Sequence, residues 1–292
     1  MTAAPLNLSS RPTSRVTPLW ALYLLSLRQH LHGKRWMIIG VLFLLPAALA
    51  ILLRNTAPNI PSKALEFMMV FMFIPQALLP LSALVYASGI IQDELEEQTI
   101  TYPLMRPISK WAFYLVKLAA TLTTVLILTA VFTATTFAAV YVGSDTPANE
   151  VISRCLTTIG LHCLAAGAYC CLFGLISMFT RRSLIAGIIY AVLVEGVLAN
   201  LPFSVRLLTV IYYSRLIAYH SLSFVVQLPG GGSNDIAADA WQLDVFRDPD
   251  LLEHPSLHAC LLTLLIGAVV CAGVAAFLCA RREFYVKTPE KT

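Results

Sequence analysis

Long apolar runs with brief polar punctuation dominate the chain. Six of them, Trp36–Leu53, Ala64–Ile91, Trp111–Val142, Leu156–Phe179, Leu184–Leu201 and Leu257–Ala280, reach the roughly 18 residues needed to cross bilayer hydrocarbon as a helix. The pattern predicts an all-α membrane protein with six transmembrane helices. Before the first run, Leu19, Leu22, Tyr23, Leu27 and Leu31 recur at helical spacing within Val16–His32, while Arg15, Arg28, His30 and His32 stay polar. That pattern predicts an amphipathic helix lying at the bilayer interface. Between runs five and six lies the largest loop, 202–255. Its first half is apolar enough to resemble a seventh span, but Arg206, Arg215, His220 and the Tyr212-Tyr213 pair oppose free insertion. Outer re-entrant or interfacial helices are expected there, because irregular backbone at membrane depth survives only when buried in protein.

Charge placement orients the spans. With six, 14 of the 20 Lys and Arg residues fall on the side of both termini and six on the other. A seventh span through Val205–Val226 would move the four C-terminal ones across, so the positive-inside bias favours six spans and cytoplasmic termini. The expected organisation is a cytoplasmic tail and interfacial helix over 1–35, a six-span domain over 36–280, and a second cytoplasmic tail over 281–292, in the inner or plasma membrane. Composition agrees, with 58% hydrophobic and 12% charged residues, about half the charge of an ordinary soluble domain. No cleavable signal peptide is expected.

Within the spans, Pro75 and Pro80 predict a kink in the second, with Gln76 between them as a pathway-lining or helix-bonding residue. Ser109 is placed to cap the third span, which carries Thr121, Thr123, Thr124, Thr129, Thr133, Thr135 and Thr136. Close helix packing explains such a hydroxyl-rich run, and cavity lining is the second reading. Gly160, Ala165, Ala166, Gly167, Ala168 and Gly174 give the fourth span small-residue surfaces. Glu195 reads as the one acid well inside a span, about 16 Å from the inner end. It is either a pathway group, ionised or paired with His162 or Arg206, or a structural hydrogen-bond acceptor. The seven cysteines lie in or beside apolar runs and read as small buried residues. His254 and His258 stand four apart, but Pro255 interrupts and no third metal ligand is in sight. No phosphate-binding GxxxxGK[ST] loop occurs, so no cofactor is expected on this chain.

One stretch departs from the pattern. Asp93, Glu94, Glu96 and Glu97 follow the second span on the side where basic residues otherwise collect, and acids beside an anionic leaflet are mildly unfavourable. A protein partner explains their position. About two helical turns over 93–101 put Glu94 and Glu97 on one face, and Pro103 and Pro107 stiffen the return to the third span. Gly89, Glu94, Glu97, Thr99, Leu104, Pro107, Ser109, Lys110 and Lys117 together form a pattern that resembles type-2 ABC transporter permeases, the membrane subunits of ABC exporters. That resemblance implies a coupling helix at 93–101 docking on a separate cytoplasmic P-loop ATPase. It places the contact on Glu94 and Glu97 and more loosely on Asp93, Glu96 and Arg106. It further implies that ATP and Mg are held by the partner, and that two permease copies, identical or related, form the pathway between them. No catalytic, cofactor or metal site and no nucleic-acid partner is implied. The alternatives from other classes are an ion-coupled secondary transporter using Glu195 and a membrane assembly factor without transport.

Overall fold

The computed structural model describes residues 16–57, 59–96, 109–180, 182–201, 204–227, 233–241 and 255–282. Among the described residues six helices are long and apolar enough to span a membrane. The N-terminal helix α1 covers Val16–His32, and α2 covers Arg35–Thr56. The second span, α3, runs continuously through Ser62–Glu66, Phe67–Leu78 and Leu79–Ala87. After Ser88 comes α4, Gly89–Glu96. Next are α5, Lys110–Tyr141, and α6, Ala148–Phe179. The fifth span, α7, begins as Ser183–Tyr190 and loosens into wide and then tight turns over Ala191–Val197 and Leu198–Asn200. Beyond it lie α8, Val210–Ser221, a small hairpin of β1 (Val225–Gln227) and β2 (Ser233–Asp235), and α9, Ile236–Trp241. The hairpin is antiparallel, with Val226 opposite Asn234. The last span, α10, is Leu257–Arg281, and the Ser256 hydroxyl accepts from the Ala259 N–H as its N-cap.

α6 is the hub and packs against α3, α5, α8 and α10. Two apolar clusters fill the bundle. One lies towards the end that carries α1 and gathers Tyr86, Tyr114, Tyr169 and Phe173. The other lies towards the end that carries α8 and gathers Phe71, Phe137, Phe224 and Trp241. α8 is 12 residues long, too short to cross hydrocarbon, and buries Ile211, Tyr212, Arg215, Leu216 and Ile217 against protein. The six-span reading of the large loop therefore stands, with α8 packed into the bundle end.

Several expectations are modified. The prolines of α3 produce wide π-type turns over Phe67–Leu78 instead of an abrupt break. The looser turn accommodates the Pro75 ring against the preceding carbonyls, and Pro80 follows at the return to regular α-helix. The fourth span starts eight residues earlier than the apolar run, at Ala148, so Arg154 belongs to a helix and not to a loop. Pro147 begins that helix with its fixed φ, and Glu150 stands in its positively polarised first turn. Ser109 precedes α5 but makes no side-chain cap bond.

Thr121, Thr124, Thr129, Thr133 and Thr136 of α5 are buried and form a packing face, Thr123 is half-buried and Thr135 is exposed. Thr123, Thr124, Thr135 and Thr136 return their hydroxyls to the carbonyls four residues back, which satisfies them within the helix. Of the small residues in α6, Gly174 is the one in close approach, since a Cβ there would meet the Tyr114 hydroxyl at 2.6 Å, whereas Gly160 faces open space. α1 packs along α5 through Leu19, Leu22, Tyr23, Ser26, Leu27 and His30. Tyr23 donates to Thr123 at 3.0 Å, and His30 Nε2 meets the Thr121 hydroxyl at 3.3 Å. Leu31, grouped with the packing face by spacing, is exposed, and Ser26 is buried in its stead.

Candidate functional site

The acidic helix α4 leaves the bundle directly from α3. Its Asp93 carboxylate accepts both guanidinium nitrogens of Arg35, the first residue of α2, at 2.7 and 3.0 Å. Gly89 leaves room for this pair. A Cβ at that position would come within 2.5 Å of Asp93 Oδ2 and 2.7 Å of Arg35 Nη1, so a methyl group there would push the ends of these two flexible side chains aside. Neighbouring bonds tie the same end of the bundle together. Gln92 donates to the Thr180 carbonyl at 2.5 Å, Lys110 to the Arg282 carbonyl at 3.0 Å, and Arg282 to the Met178 carbonyl at 2.7 Å. Of the five residues assigned to the coupling contact, Asp93 is the one whose side chain is placed. The side chains of Glu94 and Glu96, and the whole of Glu97 and Arg106, lie outside the described residues.

Glu195 sits in the loosened part of α7 and is almost completely buried. Tyr169 and Tyr190 donate hydroxyls to it at 2.9 and 3.1 Å, and the backbone N–H groups of Val210 and Ile211 donate at 2.9 and 3.0 Å. Those two amides open α8. The carboxylate therefore satisfies the orphan donors at a helix N-terminus, where the helix dipole favours a negative charge. Of the readings open for this acid, the pairing with His162 or Arg206 is not formed among the described contacts. His162 instead meets the Thr133 hydroxyl at 3.1 Å, and the Arg206 guanidinium lies over the Tyr212 ring at 5.0 Å. Glu195 accepts four hydrogen bonds where α7 meets the start of α8.

Gln76 contributes to the same junction. Its Oε1 accepts from Arg215 Nη2 at 2.8 Å, while Arg215 Nη1 donates to Asn200 Oδ1 at 3.0 Å. The buried guanidinium of α8 is thus held between α3 and the end of α7 by two neutral amide oxygens.

The spacing argument missed a further network at the α8 end. Glu66, fully buried in α3, accepts three hydrogen bonds from Arg154 of α6 at 3.0 to 3.2 Å, and one from the Tyr141 hydroxyl of α5. Arg154 also donates to the Ser223 carbonyl just before β1 at 3.1 Å. Arg54 of α2 donates to the Val140 carbonyl and to the Ser62 hydroxyl. Glu195 is therefore not the one acid inside a span. The signal was present as an acid just inside one apolar run and an arginine just outside another, but pairing them required the fold.

Among the described residues no group of three or more His, Cys, Asp or Glu side chains is placed to hold a metal ion, and the seven cysteines are free thiols, buried or half-buried. A family model described as "ABC-2 family transporter protein" matches residues 30–222, more than half of the chain. The matched region starts within α1 and ends one residue beyond α8. Comparison with curated proteins gave no match.

Proposed function

The chain belongs to the ABC-2 transporter family as a multi-pass membrane permease subunit, and from that premise we propose that it is the pathway-forming half of an exporter whose energy comes from another chain. In this reading a separate P-loop ATPase, holding ATP and Mg, docks on the acidic segment 93–101. Two permease copies, identical or related, enclose the substrate pathway. Both termini and the acidic segment face the cytoplasm across the inner or plasma membrane. The core of the permease is 36–280, flanked by the cytoplasmic segments 1–35 and 281–292. Glu94 and Glu97 carry the contact, with Asp93, Glu96 and Arg106 beside them.

One observation supports this reading above the others. The acidic helix continues α3 and is joined to the first residue of α2 by the half-exposed Asp93–Arg35 pair, beside which Gly89 leaves the space a methyl group would take. A force applied to α4 therefore reaches two spans at once. Coupled two-state motion of packed helices is the physical form such gating takes. The engagement of Glu195 with the α8 N-terminus weighs against an ion-coupled transporter built on that acid.

The test is co-purification of the full-length permease with its ATPase, together with stimulation of ATP hydrolysis. Charge reversal at both Glu94 and Glu97 is expected to abolish association and stimulation while the permease stays folded and inserted. Association and stimulation at wild-type levels in that double variant would place the docking site elsewhere.

A further inference from the structure

Beside the Asp93–Arg35 pair lies a pocket of about 280 Å³ whose walls come from α1, α2, α4 and α5. Ser26, Gln29 and His30 line it from α1, Arg35 from α2, Asp93 from α4, and Lys117 from α5. Three observations bear on what it would hold. First, Lys117 is buried, with its ammonium 5.5 Å from the centre of the Phe113 ring, and it shares the pocket with the Arg35 guanidinium. Second, burial first, then Lys117 and Arg35, lower the pKa of His30 to about 4, with Asp93 acting in the opposite direction. Two basic side chains and one carboxylate thus face His30 across the pocket. Third, Ser26 is 2% exposed, and its hydroxyl has no hydrogen-bond partner among the described residues. A buried donor left in that state carries a desolvation penalty, which a ligand acceptor would recover.

We propose that this pocket binds a net-anionic phosphate group. Lys117 and Arg35 supply the attraction, and the Ser26 hydroxyl and Gln29 amide donate hydrogen bonds. Its volume lies just below the range of pockets that take drug-sized ligands, so it suits a headgroup and not a large solute. The same chemistry is offered by a free phosphate ion and by the headgroup of an anionic phospholipid. Position favours the lipid. The outward face of α1 presents Trp20, Leu24, Leu25 and Leu31, and Trp36 is exposed at the start of α2, an arrangement of apolar and aromatic side chains that lies at the headgroup level of a bilayer. Basic pockets between membrane helices on that face are suited to anionic headgroups. Choline-type headgroups would bring a cation beside Lys117 and Arg35 and be rejected.

The experiment uses the full-length chain, purified in detergent and stripped of lipid. Native mass spectrometry counts phosphatidylglycerol and phosphatidylcholine retained at equal concentration, with and without inorganic phosphate in excess. The expected result is at least about a tenfold preference for phosphatidylglycerol, falling about tenfold in Lys117→Gln and in Ser26→Ala. Loss of bound phosphatidylglycerol on adding inorganic phosphate assigns the pocket to the free ion, and its persistence assigns it to the lipid. Equal retention of the two lipids, or a preference untouched by the substitutions, overturns the proposal. Ser26→Ala removes one buried hydroxyl and keeps the fold, so the test stands even where Lys117→Gln fails to assemble.

Discussion

The two ends of the bundle are built on opposite principles. At the α8 end the acids inside the spans are buried and matched, and only the Lys63–Glu150 pair at the helix starts is half-exposed among the described ion pairs there. Glu66 takes Arg154 and Tyr141, and Glu195 takes two tyrosine hydroxyls and two helix-opening amides. At the α1 end the ion pair is half-exposed, with Arg35 and Asp93 side chains 43% and 39% accessible, and a pocket with an unanswered hydroxyl lies beside it. A buried network with every member satisfied has one low-energy arrangement and resists deformation. A half-exposed pair contributes only about 0–1 kcal/mol, so it orients its partners without locking them. The difference teaches where movement is cheap. The end that seats α8 is rigid, and the end proposed to receive the ATPase can rearrange at little cost.

The sharpest way to break that contrast is to remove one member of the buried pair. Glu66→Ala leaves the Arg154 guanidinium buried with its main partner gone. Destabilisation of about 3–5 kcal/mol is expected, read as a large fall in Tm of the purified chain. Replacing both members, as Glu66→Leu with Arg154→Met, removes the stranded charge and should recover most of that loss. If Glu66→Ala unfolds no more readily than wild type, the α8 end is not held as described.

Glu195→Ala comes next. It leaves the Val210 and Ile211 amides and two tyrosine hydroxyls without their shared acceptor. The expected cost is about 2–3 kcal/mol, concentrated in α8. Hydrogen exchange should accelerate at least about tenfold at Val210 and Ile211, with little change in α5. Unchanged exchange at those amides would remove Glu195 as the anchor of α8.

These two acids also mark how far the sequence could be read. The six spans, their order and the helix over Val16–His32 follow from apolar run length and helical spacing, because bilayer thickness and helix rise are fixed lengths. Glu195 was legible as a singular residue but not as a cap, since its partners Val210 and Ile211 contribute backbone amides, which leave no signature in residue type. Arg154 was hidden by run counting. A helix that begins outside the apolar run looks like a loop until its buried face is known. Asp93 was legible as part of an acidic anomaly, while its pairing with Arg35, 58 positions earlier, is a property of the packed bundle. Gly89 shows the reverse case. Its place in the motif was plain, and the structure supplies the steric reason for it.

At the α1 end the effects on stability shrink while those on coupling should not. Gly89→Ala drives a methyl group into the Asp93–Arg35 pair, and Asp93→Asn removes its charge. Each is expected to change Tm by no more than about 1 kcal/mol equivalent. Stimulation of the partner ATPase should nevertheless fall severalfold, because α4 would no longer carry α2 with it. A large drop in stability with intact stimulation would reverse the contrast between the two ends.

The most local effect is a pH response confined to α1. His30 packs edge-on against Tyr86 at 5.3 Å and meets the Thr121 hydroxyl. Burial, reinforced by Lys117 and Arg35, lowers it from the ordinary 6.5 to about 4, with Asp93 acting in the opposite direction. The undocked helix would bind a proton near pH 6.5 that the docked helix refuses until about pH 4. The docking of α1 is therefore at full strength above pH 6.5, weakens as pH falls through that interval, and levels off below it. Fluorescence of Trp20 on α1, or protease access to α1, should follow this profile while the α8 end stays fixed. His30→Gln, which keeps a polar side chain of similar reach but does not titrate, should flatten the profile. Persistence of the full response in that variant would assign it to another group, with Asp93 and its pair to Arg35 the first to be tested.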